Sequence, residues 1–250
     1  MGPRRIVLIP TYNEAENVTP LLESIRAVFG ADELSVLFID DSSPDGTADR
    51  IQRIATSRSS GVSLLARPAK SGLGAAYLDG FRWVLERGEW DRVFMMDADL
   101  SHQPESLPAL DSALEENDLV IGSRYTSGVS VLNWSIARLN MSYAANAYIR
   151  MLTGMPFRDC TSGYRAFRSD LTGDLLSLAI RASGYAFLVE MLFRLWRSDR
   201  RVGEVPIVFV ERKRGSSKVS MGVFLESLML PLRLGLGRLL GAGGGGRRPQ

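Results

Sequence analysis

Asp97 and Asp99 lie two residues apart, directly after the apolar run Arg92–Met96. In extended chain that spacing sends both carboxylates to one side, where they can share a hard divalent cation. The same pair also suits an ordinary loop that caps the next helix. Asp40-Asp41 ends a second apolar run, Leu34–Asp40, and Glu14 closes the segment Pro10-Thr11-Tyr12-Asn13-Glu14 after a third, Arg5–Pro10. Three acidic strand ends on one sheet edge repel each other, and a cation together with the positive ends of the following helices relieves the cost. Asp45, in Ser43-Pro44-Asp45-Gly46, reads as a turn and helix cap. Arg124, in Gly122-Ser123-Arg124-Tyr125, faces the same cleft, either as an ion-pair partner of the aspartates or as a phosphate clamp. Lys70-Ser71-Gly72-Leu73-Gly74 has the look of a phosphate-cradling loop but matches neither the Walker nor the dinucleotide pattern. The basic run from Arg212 to Lys218 is either a solvated loop or a lid over a diphosphate.

Composition narrows the chemistry. The 250 residues include one histidine, His102, and one cysteine, Cys160, so a disulfide framework within the chain is impossible and a Cys/His zinc site nearly so. A bound metal has to be held by carboxylates, which points to Mg²⁺ or Mn²⁺. Cys160 suits a small buried position better than a nucleophile. Net charge is +2, with 30 basic and 28 acidic residues, and that balance argues against nucleic acid as a partner. The N-terminus has no signal-peptide hydrophobic region, and no uninterrupted apolar stretch is long enough to span a bilayer.

These residues need a scaffold, and the first 123 positions supply its rhythm. Arg5–Pro10, Leu34–Asp40, Val62–Ala66, Arg92–Met96 and Leu119–Gly122 read as strands. Ala15–Phe29, Thr47–Ala55, Gly74–Glu86 and Glu105–Leu114 read as the helices between them. Strands alternating with helices mean an α/β fold, a mostly parallel central sheet with helices on both faces. Ligands bind beyond the carboxyl ends of such strands, where the acidic residues fall. The second half has no clear βα rhythm. Trp134–Leu152 and Ala182–Arg197 read as helices, Val205–Val210 as one strand, and Val223–Leu240 as a broken, leucine-rich amphipathic segment.

Read in order, the blocks PTYNE (Pro10–Glu14), DDSSPDGT (Asp40–Thr47), RPAKSGLGAAY (Arg67–Tyr77), MDADLSHQP (Met96–Pro104), GSRY (Gly122–Tyr125), DCTSGYRAF (Asp159–Phe167), EVPI…ER (Glu204–Arg212) and SK (Ser217–Lys218) resemble the dolichol-phosphate (polyprenol-phosphate) mannose synthases. These are family-2 glycosyltransferases of GT-A (Rossmann-like) fold. The resemblance implies mannosyl transfer from GDP-mannose to a membrane polyprenyl phosphate, with inversion and with Mg²⁺ or Mn²⁺; its near alternative is a polyprenyl-phosphate glucosyltransferase using UDP-glucose. It implies that Pro10, Tyr12, Glu14, Ile39 and Asp41 line the nucleoside pocket. Asp97, Ala98 and Asp99 would hold the metal-diphosphate, with Asp97 and Asp99 as metal ligands. Arg124, Arg212 and Lys218 would belong to the donor and phosphate region, and Arg138 and Ser142 to the acceptor phosphate. Asp99, Arg124 and Arg212 are its expected catalytic residues. Two departures stand out: Ser142-Tyr143 where the family often has Ser-Arg, and Leu188 where it usually has glutamine.

The expected organisation is a catalytic domain over 1–218, an amphipathic interfacial helix over 219–242 and a flexible tail over 243–250. The helix and the tail arginines suit attachment at the inner face of the membrane, from the cytoplasm. Packing of the helix on the catalytic domain, or on a membrane-protein partner, are its other readings.

Overall fold

The computed structural model describes residues 2–30, 33–56, 61–178, 180–182, 184–211 and 221–239. Five strands arrive as the sequence pattern predicts: β1 (Arg5–Thr11), β2 (Leu34–Asp40), β3 (Val62–Ala66), β4 (Arg92–Met95) and β5 (Leu119–Ser123). Between them run α1 (Val18–Val28), α2 (Thr47–Ala55), α3 (Leu73–Arg87) and α4 (Leu107–Ala113), the last preceded by a 3₁₀ turn, Pro104–Ser106. Pro104 and Pro108 explain that split start, because neither can donate the N–H an established helix needs.

The second half differs from the sequence reading. It contains β6 (Val131–Leu132), α5 (Ile136–Thr153), β7 (Arg165–Arg168), α6 (Leu171–Ser177), α7 (Gly184–Arg197), β8 (Val202–Pro206), β9 (Phe209–Val210) and α8 (Met221–Leu239). The run Val205–Val210 is therefore not one strand. β8 ends at Pro206, paired with Ser123, and the chain then crosses to a separate two-stranded sheet where Phe209 pairs with Val131. β7 and α6 lie in a stretch with no period-2 or period-3.6 pattern strong enough to mark them.

The main sheet has seven strands in the order β3-β2-β1-β4-β7-β5-β8, all parallel except β7. Alternate residues of each strand face opposite layers. Ile6, Leu8, Leu37 and Ile39 pack under α3 and α7, while Val7, Ile9, Val36 and Phe38 pack under α1, α2 and α4. Burial on both faces is why these strands read as unbroken apolar runs. The sheet order reverses at β1, whose neighbours are β2 on one side and β4 on the other. The crevice opened there lies beyond Thr11 and Met95, next to the acidic residues.

α8 packs on α5. The Tyr148 hydroxyl donates to the Leu228 carbonyl (2.8 Å), and Arg238 donates to the Thr153 carbonyl (3.1 Å). A side chain at Gly235 would meet the Leu152 carbonyl oxygen at 2.5 Å, so close contact of the two helices requires glycine there. Leu225, Leu228, Met229 and Leu236 remain exposed on its other side. Among the described residues, no helix is long and apolar enough to cross a membrane.

Candidate active site

The loops at the carboxyl ends of β1 and β2 are tied together by carboxylates. Asp40, almost fully buried, accepts from Thr11 Oγ1 (3.0 Å), the Ser43 N–H (2.9 Å) and Ser43 Oγ (2.6 Å). Asp45 accepts from the N–H groups of Thr47 and Ala15, both at 3.1 Å. Burial pushes its pKa up, but the hydrogen bonds from Thr47 and Ala15 outweigh that and hold it below the ordinary value. Asp45 thus has a turn role, while the N-cap position of α2 falls on Gly46, one residue further on.

Asp41 is engaged rather than open to the cleft. Its carboxylate pairs with Arg67 and accepts from the N–H groups of Ser71 (3.1 Å) and Gly72 (3.0 Å). Gly72 sits at φ +89°, a conformation that favours glycine, and this folds the Lys70–Gly74 loop over the carboxylate. Lys70 Nζ lies 3.6 Å from the centroid of the Tyr12 ring, closing one wall beside β1. Glu14 accepts from Asn17 Nδ2 (2.6 Å). Pro10 and Tyr12 stand partly exposed at the strand end. The Ile39 side chain is fully buried and points at Gly80 of α3, so only the main chain of this residue faces the strand end.

Across β1, the Asp97–Asp99 loop is locked by His102. The Asp97 N–H donates to His102 Nδ1 (3.0 Å), which puts the imidazole proton on Nε2. The ring stacks on Tyr164 with centroids 4.7 Å apart and meets Phe209 edge-on. Burial pushes the His102 pKa below its ordinary value, against the pull of Asp97 and Asp99. Asp99 accepts from the Ser101 N–H (3.1 Å), and Leu100 takes φ +62° to turn the loop. Ala98 is buried between the two aspartates, and both of these are partly exposed.

These residues fit a hard divalent cation. Asp97 and Asp99 are partly exposed oxygen donors, and the Ser101 hydroxyl is buried in the same loop with no hydrogen-bond partner. Such an orphaned oxygen is costly unless something satisfies it. Among the described residues no cluster of three or more His, Cys, Asp or Glu side chains is poised for a metal. A cation here would complete its shell from a phosphate-bearing ligand.

Arg124 pairs with Asp159, not with Asp97 or Asp99. Its Nε and Nη2 donate to the two Asp159 oxygens at 2.7 and 2.6 Å. Arg138 and Ser142 share a face of α5, four residues apart as expected, but both have partners. Arg138 Nη1 donates to Glu211 (2.6 Å) and its guanidinium lies 4.4 Å from the Trp134 ring centroid, while the Tyr125 hydroxyl donates to Ser142 Oγ (2.7 Å). Ser135 caps the helix by accepting from the Arg138 N–H. Arg212 and Lys218 lie outside the described residues. Leu188 is core, and Cys160 is buried with its thiol pKa pushed up to about 12.

Sequence reasoning missed Asp159, Asn146, Glu204 and Phe209. Asn146 donates to the Ser142 carbonyl and accepts from the Cys160 N–H, and Glu204 accepts from the Asp159 and Arg158 N–H groups. The only available signal was that Asp159 and Glu204 open two of the motif blocks.

The fold is that of a GT-A glycosyltransferase. It superimposes on glucosyl-3-phosphoglycerate synthase from Mycobacterium tuberculosis, solved with Mn²⁺, UDP-glucose and phosphoglyceric acid, with TM-score 0.65 and 20% identity over 93% of this chain and 81% of that one. Residues 6–176 match the Glycosyl transferase family 2 model, and the chain belongs to that family. It is 46% identical to the undecaprenyl-phosphate mannosyltransferase of Micrococcus luteus, over 93% of this chain and 94% of that one. It is 41% identical to the polyprenol monophosphomannose synthase of Mycolicibacterium smegmatis, over 94% and 89%.

Proposed function

We propose that this glycosyltransferase moves mannose from GDP-mannose to a polyprenyl phosphate with inversion, working at the cytoplasmic surface of a membrane. The observation that carries this reading is the likeness, over nearly the whole chain, to two proteins named for that class of product. The acidic switch-point crevice supplies chemistry of the right kind.

A phosphate monoester has a second pKa of about 6, so the acceptor is already a dianion at neutral pH and needs no base to attack C1 of the sugar. His102 agrees with a site that does without one: it is neutral, buried, and spends Nδ1 on the Asp97 N–H. What remains for the protein is to position two anions and offset their repulsion. Asp97 and Asp99 would hold Mg²⁺ or Mn²⁺, which when bound supplies charge neutralisation for the leaving diphosphate. Pro10, Tyr12, Lys70 and the loop held by Asp41 form the nucleoside side. Arg124, with Arg212 and Lys218, serves the phosphates between donor and acceptor. Arg138 and Ser142 receive the acceptor phosphate, for which Arg138 exchanges Glu211. The side of α8 that stays exposed, with Leu225, Met229 and Leu236, suits an interfacial position.

The test is consumption of GDP-mannose and of UDP-glucose, each with and without polyprenyl phosphate. Acceptor-dependent turnover of GDP-mannose alone is expected. Turnover of UDP-glucose instead would move the reading to a glucosyltransferase, and turnover indifferent to the lipid would remove the acceptor.

A further inference from the structure

The pair between Arg124 and Asp159 is built in an unusual way. Asp159 is fully buried and Arg124 is 8% exposed. One carboxylate takes three hydrogen bonds from that single arginine: Nε at 2.7 Å, Nη2 at 2.6 Å and the backbone N–H at 3.0 Å. Nη2 also donates to Thr161 Oγ1 (2.7 Å). Nη1 has no partner among the described residues, so two of the five N–H donors are unspent. The rings of Tyr125, Trp134 and Phe209 stand 5.4, 5.5 and 5.5 Å from the guanidinium carbon. Phe209 and Trp134 also touch each other, and Phe209 touches His102, which fixes the Asp97–Asp99 loop. Arg124 therefore stands between the acidic loop and the start of α5, held along one edge and bare at one end.

A buried ion pair is weak support for stability, since desolvation offsets most of the attraction. A guanidinium gripped on its Nε side with a free terminal nitrogen is, by contrast, ready for an oxyanion. We propose that Asp159 is a positioning residue that aims Arg124 Nη1 at a phosphate oxygen of the reacting pair. Glu204, accepting from the Asp159 N–H at 3.0 Å, anchors this arrangement to β8 at the far edge of the sheet. The proposal rests on the reading of Arg124 as a phosphate-binding residue and says what gives that residue its direction. Replacing Asp159 by asparagine leaves Arg124 a stronger net attractor of anions but a poorly aimed one. The cost then falls on kcat and not on acceptor KM.

The experiment compares wild type, Asp159→Asn, Arg124→Gln and the double variant in the full chain, with GDP-mannose, Mn²⁺ and polyprenyl phosphate. Near-UV circular dichroism checks folding. In Asp159→Asn, kcat is expected to fall roughly tenfold to a hundredfold, with acceptor KM unchanged or lower and donor Kd within about twofold. The double variant should be no slower than Arg124→Gln alone, because Asp159 acts only through Arg124. A folded Asp159→Asn with wild-type kcat overturns the proposal, as does a double variant slowed by the two full factors multiplied. Wild-type transfer by Arg124→Gln would instead sink the phosphate reading of Arg124 itself, and the proposal with it. Should Asp159→Asn fail to fold, Thr161→Val removes the other anchor of Nη2. A kcat lowered by about threefold to tenfold supports the proposal there, and an unchanged kcat overturns it.

Discussion

On the β1–β2 side of the crevice, Asp40, Asp41 and Asp45 accept hydrogen bonds from backbone N–H groups, those of Ser43 and Thr47 nearby in sequence and those of Ala15, Ser71 and Gly72 brought in from loops 30 or 31 residues away. On the α5 side, Arg124 and Arg138 are matched to Asp159 and Glu211, which lie 35 and 73 residues further along the chain. The first arrangement builds a rigid mould out of main chain. The second holds cationic side chains against carboxylates from distant segments, which under the proposed function a phosphate would replace or complement. The comparison teaches that the main-chain mould resists small changes until a central carboxylate goes, whereas the paired side chains answer to single substitutions.

The largest expected effect is on the acidic loop. Asp99→Ala should lower transfer by roughly a hundredfold to a thousandfold while the fold persists, because it removes electrostatic stabilisation where charge develops. Chelation of divalent ions should stop the wild-type enzyme likewise. Turnover near wild type with Mg²⁺ or Mn²⁺ present would place the cation elsewhere.

Asp41→Ala attacks the main-chain mould. It removes one of the two carboxylates paired with Arg67, which keeps Asp79, and leaves two N–H donors without their acceptor, at a cost of about 1–3 kcal/mol in unfolding free energy, read from urea titration. Calorimetry should show weaker donor binding as the Lys70–Gly74 loop loosens, with the acceptor KM nearly unmoved.

Arg138→Ala probes the other wall. Loss of a charge-assisted contact worth roughly 1.5–3 kcal/mol should reduce kcat/KM for the acceptor about tenfold to a hundredfold and spare donor binding. Arg138→Lys should recover part, since an ammonium cannot grip two oxygens in fork geometry or stack on Trp134 in the same way. Weakened donor binding with intact acceptor kinetics would put Arg138 in the diphosphate pocket.

Two further measurements should show little change. The acidic limb of the pH–rate profile should follow the acceptor phosphate, and His102→Asn should leave that limb in place even if the rate drops; a displaced limb would make His102 the base. Cys160, with a thiol pKa raised to about 12, stays protonated throughout the neutral range. Iodoacetamide at pH 8 should modify it only after denaturant is added, and rapid labelling of the native enzyme would contradict its burial.

Most of the donor half was legible. β2, α2 and β3 fall on the residues that periodicity marks, because each is a short, self-contained run bounded by Gly, Pro or Asp. The acidic strand ends were legible for the same reason, since a parallel sheet places its strand ends on one edge. Ile39 was legible as part of an apolar strand end, but which face of β2 its side chain takes was not. Arg124 was visible as a charge at a strand end, but its partner was not.

The sequence by itself determined the layered α/β class, the crevice edge, the carboxylate pair and the single histidine and single cysteine that leave carboxylates as the metal-holding groups. Each follows from local periodicity or from counting residue types. Tertiary structure alone decided that β7 inserts antiparallel between β4 and β5, that Asp159 turns Arg124, and that Phe209 joins His102 to Trp134. Those outcomes depend on which distant segments meet when both faces of the sheet are covered. Buried charges and ring edges must find partners wherever the packed chain brings them, and no spacing along the sequence records that choice.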